Sequence, residues 1–111
     1  MALDAQIRPG QELFNAGRFF EAHESWEDVW RGLSGDDKLF AQGLTQVAAA
    51  MHKLKTDPKA WEGALYLMDR ALAKIGPRFK DQPARLAPLI EIRTRVVAED
   101  LDLEALPRLE L

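Results

Sequence analysis

The chain has 111 residues, 47% of them apolar and 30% charged, with a formal net charge of −3 and no cysteine. That length suits one domain with one buried core. The mild acidity excludes the basic field that nucleic acid or an anionic membrane would need. The absence of cysteine excludes disulfides and thiolate metal sites and fits a reducing, cytoplasmic setting.

The predicted elements are all helices. A first helix runs from about Leu3 or Pro9 to Ala16, with Gly17 placed to cap its end. Met1 to Pro9 carries Asp4 and Arg8 and lacks the apolar stretch of a signal peptide. A second helix starts near Phe19 or Phe20 and ends near Gly32. Ser34-Gly35-Asp36-Asp37 reads as a turn, and a third helix follows from about Asp37 to Lys55. Its longest near-apolar run, Val47 to Met51, is far too short to span a bilayer. Thr56-Asp57-Pro58 reads as a restart, with Asp57 as N-cap and Pro58 at the first helical position of a fourth helix that ends at Ile75. Arg78 to Ala87 is looser. A fifth helix covers Pro88 to about Asp100, and Leu101 to Leu111 packs as an extended strip. No segment of useful length alternates with the period of a strand. The expectation is one all-α domain over residues 1–111, a compact bundle of about five helices with the third at its centre. Its core motif region is 14–75, and its C-terminal helix and tail are 88–111.

Two stripes support this. Phe40, Leu44, Val47, Met51 and Leu54 line one face of the third helix, and Trp61, Leu65, Met68, Leu72 and Ile75 one face of the fourth. Gly43, Ala48, Ala49 and Ala50 would let a neighbouring helix come close to the third. The fifth helix has two apolar strips, Leu89-Ile92-Val96 and Ile90-Val97-Leu101. That pattern suits one core contact and one partner contact, and so a homo-oligomer through this helix.

The segment Phe19 to Arg31 concentrates the chemistry. Phe19, His23, Trp26, Trp30 and Leu33 share a helix face by spacing, so His23 is expected inward among indoles. An inward imidazole needs hydrogen-bond partners, and Glu27, one turn on, is the nearest. In the third helix Thr45 and His52 lie on one border of the apolar stripe and Gln46 on the other.

These residues resemble a known family. Phe14-Asn15-Ala16-Gly17-Arg18-Phe19-Phe20-Glu21-Ala22-His23-Glu24-Ser25-Trp26-Glu27, then Trp30-Arg31, then Gln42-Gly43-Leu44-Thr45-Gln46-Val47-Ala48 and His52, look like the domain of unknown function 309 family. The resemblance is strongest from Phe14 to about Leu72, and the closing Pro107-Arg108-Leu109-Glu110-Leu111 is similar too. It implies a compact all-helical fold in small prokaryotic proteins and no established activity, substrate or cofactor. The family's polar motif positions map onto His23, Glu24, Glu27, Gln46 and His52. Thr45 departs from the isoleucine common in the family and adds a hydroxyl near the central helix.

The same residues admit three functions. The favoured one is a non-enzymatic scaffold or interaction protein whose His/Glu/Gln network specifies its packing. Here His23→Ala would cost about 1–3 kcal/mol by orphaning Glu27. The second is a metal-assisted hydrolase, with a divalent metal held by His23, Glu27 and His52 and Glu24 as base. No metal or other cofactor is favoured. The third is a small-molecule binder in a pocket walled by Trp26, Trp30 and Trp61. Nucleophilic catalysis has little material, because Ser25 faces away from His23. The glycines sit singly, so no phosphate loop forms.

Overall fold

The computed structural model describes residues 2–111; Met1, the first residue of the segment weighed above as a leader, lies outside them. Among the described residues there are five α-helices, one 3₁₀ turn and no strand. Helix α1 is Leu3–Asn15, α2 Phe19–Arg31, α3 Gly35–Thr56, α4 Trp61–Ile75 and α5 Pro83–Val97, with the 3₁₀ turn at Gly76–Phe79. None is long and apolar enough to cross a membrane.

Helix α3 is central for a reason visible in its residues. Ten of its 22 residues are buried, including the whole predicted stripe from Phe40 to Leu54. It packs between α2 and α4; α1 covers α2, and α5 covers α4. The small residues set how closely these layers meet. Gly43 lies against Ile75 and the Ala71 carbonyl of α4, and Gly10 of α1 lies against the Trp26 indole.

The boundaries differ from expectation where local hydrogen bonding wins. Asp57 does not cap α4. Its carboxylate accepts the Lys59 N–H at 3.0 Å, which makes a turn of residues 57–60, and α4 starts three residues later than Pro58, at Trp61. Helix α5 starts at Pro83, the first helical position, where proline's missing N–H costs no helical bond. Pro88, the expected start, lies inside the helix. Its end comes early as well: Glu99 takes a φ of 52°, and Asp100 N–H closes on the Arg95 carbonyl. Gly17 caps α1 as expected, with a φ of 79° and Arg18 N–H on the Leu13 carbonyl.

The buried faces are also rotated slightly. In α4 the buried residues are Ala64, Met68, Ala71 and Ile75, while Trp61, Leu65 and Leu72 only flank the core. Ala71 sits where α3 comes close, its carbonyl beside Gly43. In α5, Leu89, Ile92 and Val96 are buried, whereas Ile90 and Val97 stay exposed. The tail returns over α1. The Asn15 side-chain amide accepts the Leu109 N–H at 2.8 Å and donates to the Leu109 carbonyl at 3.0 Å. Gln11 accepts the Leu111 N–H, and Leu109 is fully buried.

Candidate functional site

The site begins with a helix geometry problem. Phe19 and Phe20 are adjacent, and adjacent helical residues point about 100° apart. Both cannot enter one seam. Phe19 is buried at 2% exposure, whereas Phe20 is left 49% exposed at the start of α2.

Phe20 then gathers both histidines of the chain. Its ring stacks on His23, one turn on, with centroids 6.3 Å apart and planes 9° apart. It also meets His52 of α3 at 5.2 Å. The loop between α2 and α3 is short, so the helices run antiparallel and the start of α2 lies beside the end of α3.

The His23 side chain is 30% exposed, on the flank of α2. This corrects the expectation of an imidazole wedged among indoles. The inward face of α2 is Phe19, Ala22 and Trp26, and His23 is one residue round from it. Its Nδ1 is nevertheless closed off and makes no hydrogen bond. Nδ1 lies 3.6 Å from Glu27 Oε2, an ion-pair distance beyond hydrogen-bond length.

Glu27 is not dependent on His23. Its Oε1 accepts a hydrogen bond from Arg31 at 2.7 Å. Removing the imidazole therefore orphans nothing. His23→Ala is expected to cost less than about 1 kcal/mol in chemical denaturation, the range of a partly exposed ion pair. This replaces the larger cost that full burial would have implied.

The remaining predicted residues do not join this cluster. Glu24 is exposed on the outer flank of α2. Gln46 lies on the other border of α3, partly buried, with its Oε1 closed off and without a hydrogen-bond partner. The extra hydroxyl of Thr45 is satisfied within α3, donating to the Ala41 carbonyl at 2.8 Å. Among the described residues, no group of three or more His, Asp or Glu side chains is placed to hold a metal ion. His23, Glu27 and His52 thus do not form the three-ligand set that their spacing allowed.

The tryptophans occupy three separate places, not one common pocket. Trp26 is fully buried, its Nε1 donating to the Ile7 carbonyl at 3.0 Å. Trp30 is half-buried, with the Lys38 ammonium 5.5 Å from its ring centroid. Trp61 lines a groove of about 800 Å³ with Phe19, Leu54, Lys55 and the tail. At the rim of α2, Arg18 donates to Glu21, and that hydrogen bond holds the Glu21 carboxyl below its usual range, with a small contribution from Lys55.

Two features escaped the sequence reading. Phe20 had a visible signal, because a Phe-Phe doublet on a helix must leave one ring off the buried seam. The groove had a weaker one in the spaced leucines of the tail, Leu101, Leu103, Leu106 and Leu109, which need something to cover.

The family model described as Domain of unknown function (DUF309) matches residues 7–67. The matched stretch runs from α1 into α4 and contains His23, Glu24, Glu27, Gln46 and His52. No curated protein and no solved structure was found to match the chain.

Proposed function

Because the chain belongs to the domain of unknown function 309 family, whose description assigns no activity, we propose its function from geometry: it is a non-enzymatic interaction protein. The recognition face is the α2–α3 surface around Phe20, His23 and His52. The observation that carries this reading is the half-exposed Phe20 ring held against two imidazoles.

Three arguments support it. First, an exposed aromatic ring gains by burial against a partner, and aromatic anchors dominate binding energy at interfaces. Second, the surroundings are ordered. The His23 ring is stacked on Phe20, with planes 9° apart, so the pair is presented with less rotamer freedom to lose. Third, among the described residues the main helix neighbours of α2 are α1 and α3, which leaves its Phe20–His23 edge without a further extensive helix contact. A partner would bring an apolar group onto Phe20 and a polar group to the edge of the His23 ring. Ile90 and Val97 form a separate exposed strip on α5, and a second copy of the chain would dock there.

The test is photo-crosslinking in the cells that make the protein. A crosslinking aromatic amino acid replaces Phe20 in one variant and the exposed Tyr66 of α4 in another. A discrete adduct from position 20, absent from position 66, is the expected result. No adduct at 20, or the same adducts at both positions, counts against the reading.

A further inference from the structure

The groove beside Trp61 is a second, separate site. Its volume of about 800 Å³ falls within the roughly 300–1,000 Å³ of small-molecule pockets. It is walled by parts of the chain distant in sequence: the end of α1, the start of α2, the end of α3, Trp61 and the tail. The tail wall is built rather than loosely laid down. Leu109 is fully buried, and both its backbone polar groups are taken by the Asn15 amide.

The apolar surface comes from Trp61, Leu54 and the tail leucines. The charges decide the ligand. Lys55 Nζ reaches only the Gly17 carbonyl, at 3.5 Å, with the Phe19 ring centroid 5.9 Å away. Among the described residues neither Lys55 nor Arg108, both lining the groove, has a carboxylate within ion-pair distance. Two acids also line it. Asp102 is engaged with its own turn, accepting the Glu104 N–H at 2.9 Å. Glu104, on the tail wall, has no cation within ion-pair distance among the described residues and opposes negative charge beyond what the two cations offset.

We propose that this groove binds a small monoanionic amphiphile, an aliphatic or aromatic carboxylic acid. Its apolar body lies against Trp61 and its carboxylate is held by Lys55 and Arg108. One negative charge is matched by the two cations, whereas the carboxylates of Asp102 and Glu104 in the same lining make a second one unfavourable. A neutral analogue forfeits the charge-assisted hydrogen bonds that the cations supply.

The test uses anilinonaphthalene sulfonate, a monoanionic aromatic probe, on the full chain. Its fluorescence is expected to rise saturably and to fall on addition of decanoate. Decanol, and decyl phosphate above its second ionisation, are expected to displace it about tenfold less well. Lys55→Met is expected to weaken decanoate about tenfold, and Trp61→Ala to weaken it at least as much, with Tyr66→Ala, on the exposed side of α4, unchanged. Circular dichroism checks the fold of each variant. Should Trp61→Ala unfold, Lys55→Met decides, because Lys55 is exposed and its loss leaves the core intact. The proposal is overturned by no saturable binding, by decanol binding as well as decanoate, by wild-type affinity in Lys55→Met, or by loss of binding in Tyr66→Ala.

Discussion

Trp26→Ala is expected to lower stability by about 3–5 kcal/mol, the cost of emptying a large buried aromatic site. The indole is fully buried where α1 crosses α2. It fastens the two helices in three ways. Its Nε1 donates to the Ile7 carbonyl at 3.0 Å. Its ring centroid lies 6.1 Å from that of Phe14. Its edge fills the space left by Gly10, where an added Cβ would sit 2.3 Å from Nε1. Removing it leaves a cavity that neither helix can close, because the glycine has no side chain to move in. Domains of this size are commonly stable by only about 5–15 kcal/mol, so the substitution removes a large share of the total. Urea titration followed by far-ultraviolet circular dichroism measures this. A loss below about 1 kcal/mol would mean that the site collapses around the gap.

Gly43→Ala is the second large effect, and here two terms oppose. Alanine in a helix interior is favoured over glycine by roughly 1 kcal/mol. The added Cβ, however, would lie 2.7 Å from Ile75 Cγ1, 3.0 Å from the Ala71 carbonyl oxygen and 3.2 Å from Ile75 Cδ1. The Ala71 oxygen is backbone, and Ile75 is fully buried. Neither gives way without moving α4. Overpacking of this kind costs about 1–3 kcal/mol, so a net loss is expected despite the better helix former. Ile75→Ala removes the nearest side-chain atoms. The double variant should then be less destabilised than the sum of the singles, which a double-mutant cycle measures. A stabilised Gly43→Ala protein would show that α3 and α4 are less tightly apposed.

The fold was legible wherever large apolar residues recur at helical spacing. The α3 stripe is the best case, because its apolar positions are large and its polar ones few. The α2 face was misread by one residue. Ala22 belongs to the core but adds little to any hydrophobic pattern, while His23 matched the spacing of the tryptophans. In α4 the same bias drew attention to Trp61 and Leu65 over Ala64 and Ala71, which are fully buried. Boundaries failed where a proline had two readings: Pro58 sits in a turn, and Pro83 rather than Pro88 opens α5. The polar cluster was legible as residue types but not as an arrangement. Pairing Phe20 with both histidines needs the antiparallel register of α2 and α3, which no local pattern carries. The groove needs the tail to fold back across α1, held by the Asn15 and Gln11 side chains.

The central claim is that α2 divides its labour, with Trp26 holding the fold and the Phe20–His23 edge holding a partner. The most direct measurement compares stability and capture in the same variants. A photo-crosslinker at Glu24, exposed beside the patch, reports the partner, while denaturation reports the fold. Phe20→Ala and His23→Ala are expected to abolish the crosslink while stability falls by less than about 1 kcal/mol. Crosslinking that survives both substitutions, or that is lost only in step with unfolding, would contradict the account.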